Sequence, residues 1–119
     1  METAIVEQAL TQIVKYAIKR GEALEEGKSQ IANRCYDKIR RIVDSLKEEN
    51  QLSLLAKLYD HSNSWVCLTA SVYLLPLYEK ESLSNLRRIA KMDGLCAFEA
   101  EMTIKEWKNG NLKNFYTAQ

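Results

Sequence analysis

The chain has 119 residues, 46% apolar and 28% charged, with a formal charge of +1. That length suits one domain with a real core, and the apolar share argues against intrinsic disorder. A general nucleic-acid binder would carry a basic excess, and a membrane span would need roughly 18 consecutive apolar residues; neither is present. Only four glycines and one proline occur. With so few turn formers, the long stretches of Leu, Ala, Glu, Lys and Arg predict an all-α fold.

The first segment mixes apolar and basic residues, but Glu7, Gln8, Gln12 and Lys15 interrupt every run that a secretory signal would need. It reads instead as a helix from about Thr3 to Arg20, capped by Thr3, with Ile5, Val6, Ala9, Leu10, Ile13, Val14 and Ala17 at helical spacing. A loop from Gly21 to Gly27 is expected next, carrying Glu22, Glu25 and Glu26 either as a solvated turn or as a partner contact. Helix two, about Ser29 to Glu49, is the cleanest amphipathic segment. Ile31, Ala32, Cys35, Tyr36, Ile39, Ile42, Val43 and Leu46 share one face, and Arg34, Lys38 and Arg41 alternate with acids on the other.

A short helix from Leu52 to Tyr59 leads to the turn Asp60-His61-Ser62-Asn63, whose polar residues can cap a fourth helix that runs from Trp65 until Pro76. The single histidine, His61, lies too close in sequence to Ser62 and Asp60 for a relay between nucleophile and base. Ser82 is the expected cap of a fifth helix, which buries Leu83, Leu86 and Ile89 and ends at Gly94. In the sixth, about Leu95 to Asn109, Cys96, Ala97, Ala100, Ile104 and Trp107 form one apolar arc, and Phe98 with Met102 a second flank. Glu101 falls between the flanks, where a carboxylate needs a partner, either a structural ion pair or a functional contact. After Gly110, Leu112, Phe115 and Tyr116 can cap the last helix pair or form an exposed patch.

Two of these segments repeat. A shift of 31 residues sets Leu83, Leu86 and Ile89 on Leu52, Leu55 and Leu58. A shift of 30 sets Leu95, Phe98, Ala100, Met102 and Ile104 on Trp65, Leu68, Ala70, Val72 and Leu74. Self-similarity at this period indicates stacked helix pairs, each covering its neighbour's apolar face. The expected organisation is a single domain over 1–119: one pair in 1–49, a second in 52–76, a third in 82–110, and a cap or tail in 111–119. Cys35, Cys67 and Cys96 stand far apart in apolar contexts, which predicts buried thiols, no metal or cofactor, and a reducing cytoplasm.

The segment from Leu54 to Gly110, above all "GLCAFEAEMTIKEWKNG", resembles a family of short bacterial HEAT-like proteins of unknown function. The resemblance rests on Gly94, Leu95, Phe98, Glu99, Ala100, Glu101, Met102, Thr103, Ile104, Glu106, Trp107 and Gly110, about half the chain. Many relatives carry Val-Arg where this sequence has Val66-Cys67, so a contact made by that arginine is missing here. The resemblance implies six helices in antiparallel hairpins forming a short right-handed α-solenoid. Members of such families resemble immunity proteins of polymorphic or contact-dependent toxin systems, which implies a non-catalytic protein that occludes a cognate toxin, as a monomer or weak homodimer. Against a basic toxin, Glu22, Glu25, Glu26, Glu79, Glu81, Glu99 and Glu106 are the expected contacts, with Glu101, Trp65 and Trp107 either structural or partner-facing. A helical-repeat scaffold for a peptide or protein partner is the alternative.

Overall fold

The computed structural model describes residues 3–117. Among these the chain forms α1 (Thr3–Glu25), α2 (Ser29–Glu48), a 3-10 helix (Leu52–Leu58), α3 (Ser64–Leu74), α4 (Glu79–Ala90), α5 (Leu95–Lys108) and a short α6 (Lys113–Thr117), with no strand. Helix α1 packs along α2, the 3-10 helix along α3, and α4 along α5.

Helix α3 is the centre of the arrangement, packing against α1, the 3-10 helix, α4 and α5. Its sequence is apolar all round, and only a helix covered on every side tolerates that pattern. Two cores meet on it. Val66, Ala70, Tyr73 and Leu74 face Ile13, Ile39, Val43 and Leu55 on one side. Trp65, Cys67 and Leu68, with Leu75 just beyond the helix, join Leu86, Ile89, Cys96 and Ala100 on the other.

Helix α1 continues through Gly21 instead of ending at Arg20, because Ala23 and Leu24 still find apolar cover. Its end is set by Gly27 at φ +73°, where the Lys28 amide donates back to the Ala23 carbonyl at 2.8 Å. Gly21 has a different task. A Cβ at this position would lie 2.3 Å from Trp65 Cδ1, so the missing side chain is what lets the indole press against α1. The acidic cluster therefore straddles a helix end: Glu22 and Glu25 belong to α1, and Glu26 lies just beyond it.

The turn before α3 is built by its own side chains. The Asn63 amide donates to His61 Nδ1 at 3.0 Å, and Asn63 Oδ1 accepts from the Trp65 amide at 2.9 Å, capping the helix. Ser82, expected as the cap of α4, lies one turn inside it and is fully buried, with its hydroxyl 2.7 Å from that of Tyr59. Glu79 and Glu81 fill the first turn instead, where the helix dipole favours negative charge.

Residues 113–117 form one helical turn that folds back over α2 and α3. Phe115 stacks on Tyr73 with ring centroids 5.4 Å apart, and Tyr116 meets Trp107 edge to face at 5.8 Å.

Candidate partner-binding surface

The repeat relation gives the apolar positions of α5 a reference in α3. Val66, Cys67 and Ala70 are buried, and so are their counterparts Cys96, Ala97 and Ala100. The stripe Trp65, Leu68 and Val72 behaves differently. Trp65 and Leu68 are 7% and 1% exposed, because α1 covers Trp65 at Gly21 and α4 and α5 close the rest of that side of α3. Their counterparts Leu95, Phe98 and Met102 are 47%, 61% and 36% exposed. Among the described residues, no helix covers this face of α5. Met92, just before α5, is also 49% exposed. An uncovered stripe of Leu, Phe and Met on a surface helix is a candidate contact surface.

Beside this stripe lies Glu99. Its carboxylate takes two hydrogen bonds from the Arg20 guanidinium, at 2.5 and 3.1 Å, joining α5 to α1. Arg20 also lies over the Trp65 ring, 5.8 Å from its centroid. Burial works against the guanidinium's charge, yet the hydrogen bonds and the charge of Glu99 outweigh it and hold the group above its ordinary value. Glu101, expected to need a partner, is exposed, because the Phe98 and Met102 flank faces solvent. The carboxylate that the fold engages is Glu99, two residues earlier.

The expected acidic contacts do not gather into one surface. Glu22, Glu25 and Glu26 are exposed around the end of α1, with Glu26 paired to Lys28 at 2.8 Å. Glu25 and Glu99 both lie near enough to Cys96 to raise its pKa; burial first, then these charges, push the thiol up to about 12. At the other end of α5, Glu79 accepts from Trp107 Nε1 at 2.7 Å and Glu106 accepts from Asn111 at 2.9 Å. Glu81 stays exposed one turn away on α4. Trp65 is a core residue, and Trp107 is half-buried between α4 and α6.

Beyond Glu99 the surface dips into a groove between α2, α3 and α5. Tyr36, Ile39, Leu68, Val72 and Tyr73 form its floor, Arg20 and Glu99 one edge, and Phe115 of α6 lies in it. Burial raises the Tyr73 and Tyr116 hydroxyls above their ordinary value, so both stay neutral donors. Arg40, Lys47 and Asp44, which line the far end, escaped the sequence reading because on α2 they looked like part of a solvated face. Their spacing of three to four residues was the available signal.

Among the described residues no group of three or more His, Cys, Asp or Glu side chains could hold a metal ion. No described helix is long and apolar enough to cross a membrane. No family model and no curated protein matches the chain. The crystal structure of the protein RPA1889 from Rhodopseudomonas palustris CGA009 is similar: the TM-score is 0.82 and the identity 22%, over 90% of this chain and 91% of that one. At that identity the likeness establishes the fold.

Proposed function

We propose that the chain is a non-catalytic protein-binding module in the form of a short right-handed HEAT-like α-solenoid, and that it acts as a bacterial immunity protein in the cytoplasm. The bare stripe of Leu95, Phe98 and Met102 carries this reading, because it repeats on α5 the face that α3 uses to bind its neighbours. A toxin domain seated there would meet a central apolar anchor, Phe98, and a rim of Glu99, Glu101 and Glu106, an arrangement suited to tight and selective binding of a basic partner.

The test is protection. Cells that express the polypeptide encoded directly upstream should survive only when this chain is present, and the purified pair should bind with nanomolar affinity. Phe98→Asp should abolish protection and weaken binding by about a hundredfold or more while leaving the melting temperature unchanged, since Phe98 contributes little to the core. Absence of protection by the wild-type chain, or full protection by Phe98→Asp, refutes the proposal. The groove under α6 favours a second reading, a small scaffold for a peptide partner.

A further inference from the structure

Helix α6 occupies its groove loosely. Phe115 and Tyr73 both border a cavity of about 170 Å3 on the side of Tyr36, Ile39 and Leu68, and another of about 180 Å3 on the side of Val43, Leu52 and Leu77. An apolar cavity of roughly 150 Å3 accommodates a benzene ring, so a larger ring system than phenylalanine would gain contacts here that α6 does not make.

Among the described residues, hydrogen bonds, ring contacts with Tyr73 and Trp107, and the Arg40 guanidinium 4.7 Å from the Phe115 ring centroid hold the segment down. Arg40 Nη2 donates to the Phe115 carbonyl at 2.5 Å, Lys47 Nζ donates to the Tyr116 carbonyl at 2.8 Å, and the Tyr116 hydroxyl donates to the Val72 carbonyl. A helix of five residues does not persist by itself, so its docking depends on these bonds and on the two aromatic rings. Two cations aimed at the carbonyls ending a short helix also make the α2 rim a receptor for a helix C-terminus or a carboxylate. Asp44 borders the second cavity and is ion-paired with Arg40, its Oδ1 3.5 Å from the Arg40 Nε, which steadies the guanidinium at the groove rim.

We propose that the groove is a peptide-binding site which α6 fills as a placeholder. Its external ligand is the short helical C-terminal segment of a partner protein, presenting a large aromatic ring and ending in a carboxylate. This deepens the scaffold reading and does not depend on the bare stripe of α5. A tethered segment competes at an effective concentration on the order of millimolar, so a ligand has to bind better than α6 does. The unfilled volume on either side of Phe115 supplies that margin.

Fluorescence anisotropy with two labelled synthetic peptides tests the proposal on the full chain: one with the sequence of residues 111–119, the other the same with Phe115→Trp. The Trp peptide should bind the Phe115→Ala/Tyr116→Ala double variant about tenfold or more tightly than it binds the wild type, and more tightly than the parent peptide does. In the same background Lys47→Glu should weaken it several-fold. Phe115→Leu, which keeps an apolar plug, serves as a second receptor should the double variant fail to fold, and is expected to fall between the two. Equal affinity for wild type and plug variants, equal affinity of the two peptides, or no binding to a folded variant overturns the site. Loss of toxin protection in Phe98→Asp with groove binding intact would separate the two surfaces.

Discussion

Gly21→Ala should destabilise the protein, against the usual effect of that exchange in a helix. Alanine in place of a mid-helix glycine ordinarily gains about 0.5 to 1 kcal/mol from backbone entropy. Here the new Cβ would lie 2.3, 2.4 and 2.5 Å from Trp65 Cδ1, Cγ and Nε1, more than an ångström inside the roughly 3.5 Å at which carbon atoms rest. The ring has nowhere to retreat, since it is 7% exposed and packed among Leu68, Leu86 and Cys96. Overpacking of this kind costs about 1 to 3 kcal/mol or more, so the net loss after the propensity gain is about 1 to 2 kcal/mol, a fall in melting temperature of roughly 3 to 10 °C. Urea and thermal denaturation followed by circular dichroism measure it. In a Trp65→Leu background, where the ring is gone, the same Gly21→Ala exchange should be neutral or stabilising. A Gly21→Ala protein as stable as the wild type, or one equally destabilised in both backgrounds, would refute the reasoning.

Two further outcomes follow from charge and burial. Glu99→Gln should lower stability by about 1 to 2 kcal/mol, because it leaves the half-buried Arg20 without its carboxylate, whereas Glu101→Gln should leave the urea midpoint within about 0.5 kcal/mol of wild type; the reverse order would place the structural carboxylate at Glu101. The protein should also weaken in alkali. Burial raises Cys96 from 9.0 to about 12 and lifts Tyr73 and Tyr116 above 10.0, so the fold keeps protons that the unfolded chain releases. The stability these groups contribute is complete below about pH 9 and is lost as pH rises from there toward 12. A urea midpoint that stays flat between pH 8 and 11 would contradict this, and Tyr73→Phe should reduce the slope.

The elements were legible in the sequence because helical spacing, Gly27 and the Asn63 cap act locally. Residues whose role is set by a distant neighbour were not. Gly21 read as a helix end because a glycine usually is one, and nothing nearby announces an indole 44 residues later. Ser82 had the chemistry of a cap, but Tyr59 holds it inside the helix. The apolar arcs of α5 were correctly spaced, yet spacing cannot say which arc is covered. The flank of Phe98 and Met102 is exposed, so Glu101 beside it needs no partner, while Glu99, on the side facing α1, has one. The bare stripe was not legible, because helical spacing alone does not distinguish an exposed Phe from a buried one.

The all-round apolar character of α3 also bears on how the protein is made. Its cover arrives in two instalments, α1 and the 3-10 helix before it and α4 and α5 after it. A nascent chain that has emerged only as far as Leu74 therefore carries Trp65 and Leu68 with nothing to sit against on one side, an invitation to chaperones and to its neighbours on a polysome. A longer array of repeats can begin folding at any unit and spread. This chain hinges both cores on one helix, so the first can close by Leu74 while the second waits for α4 and α5 to leave the ribosome.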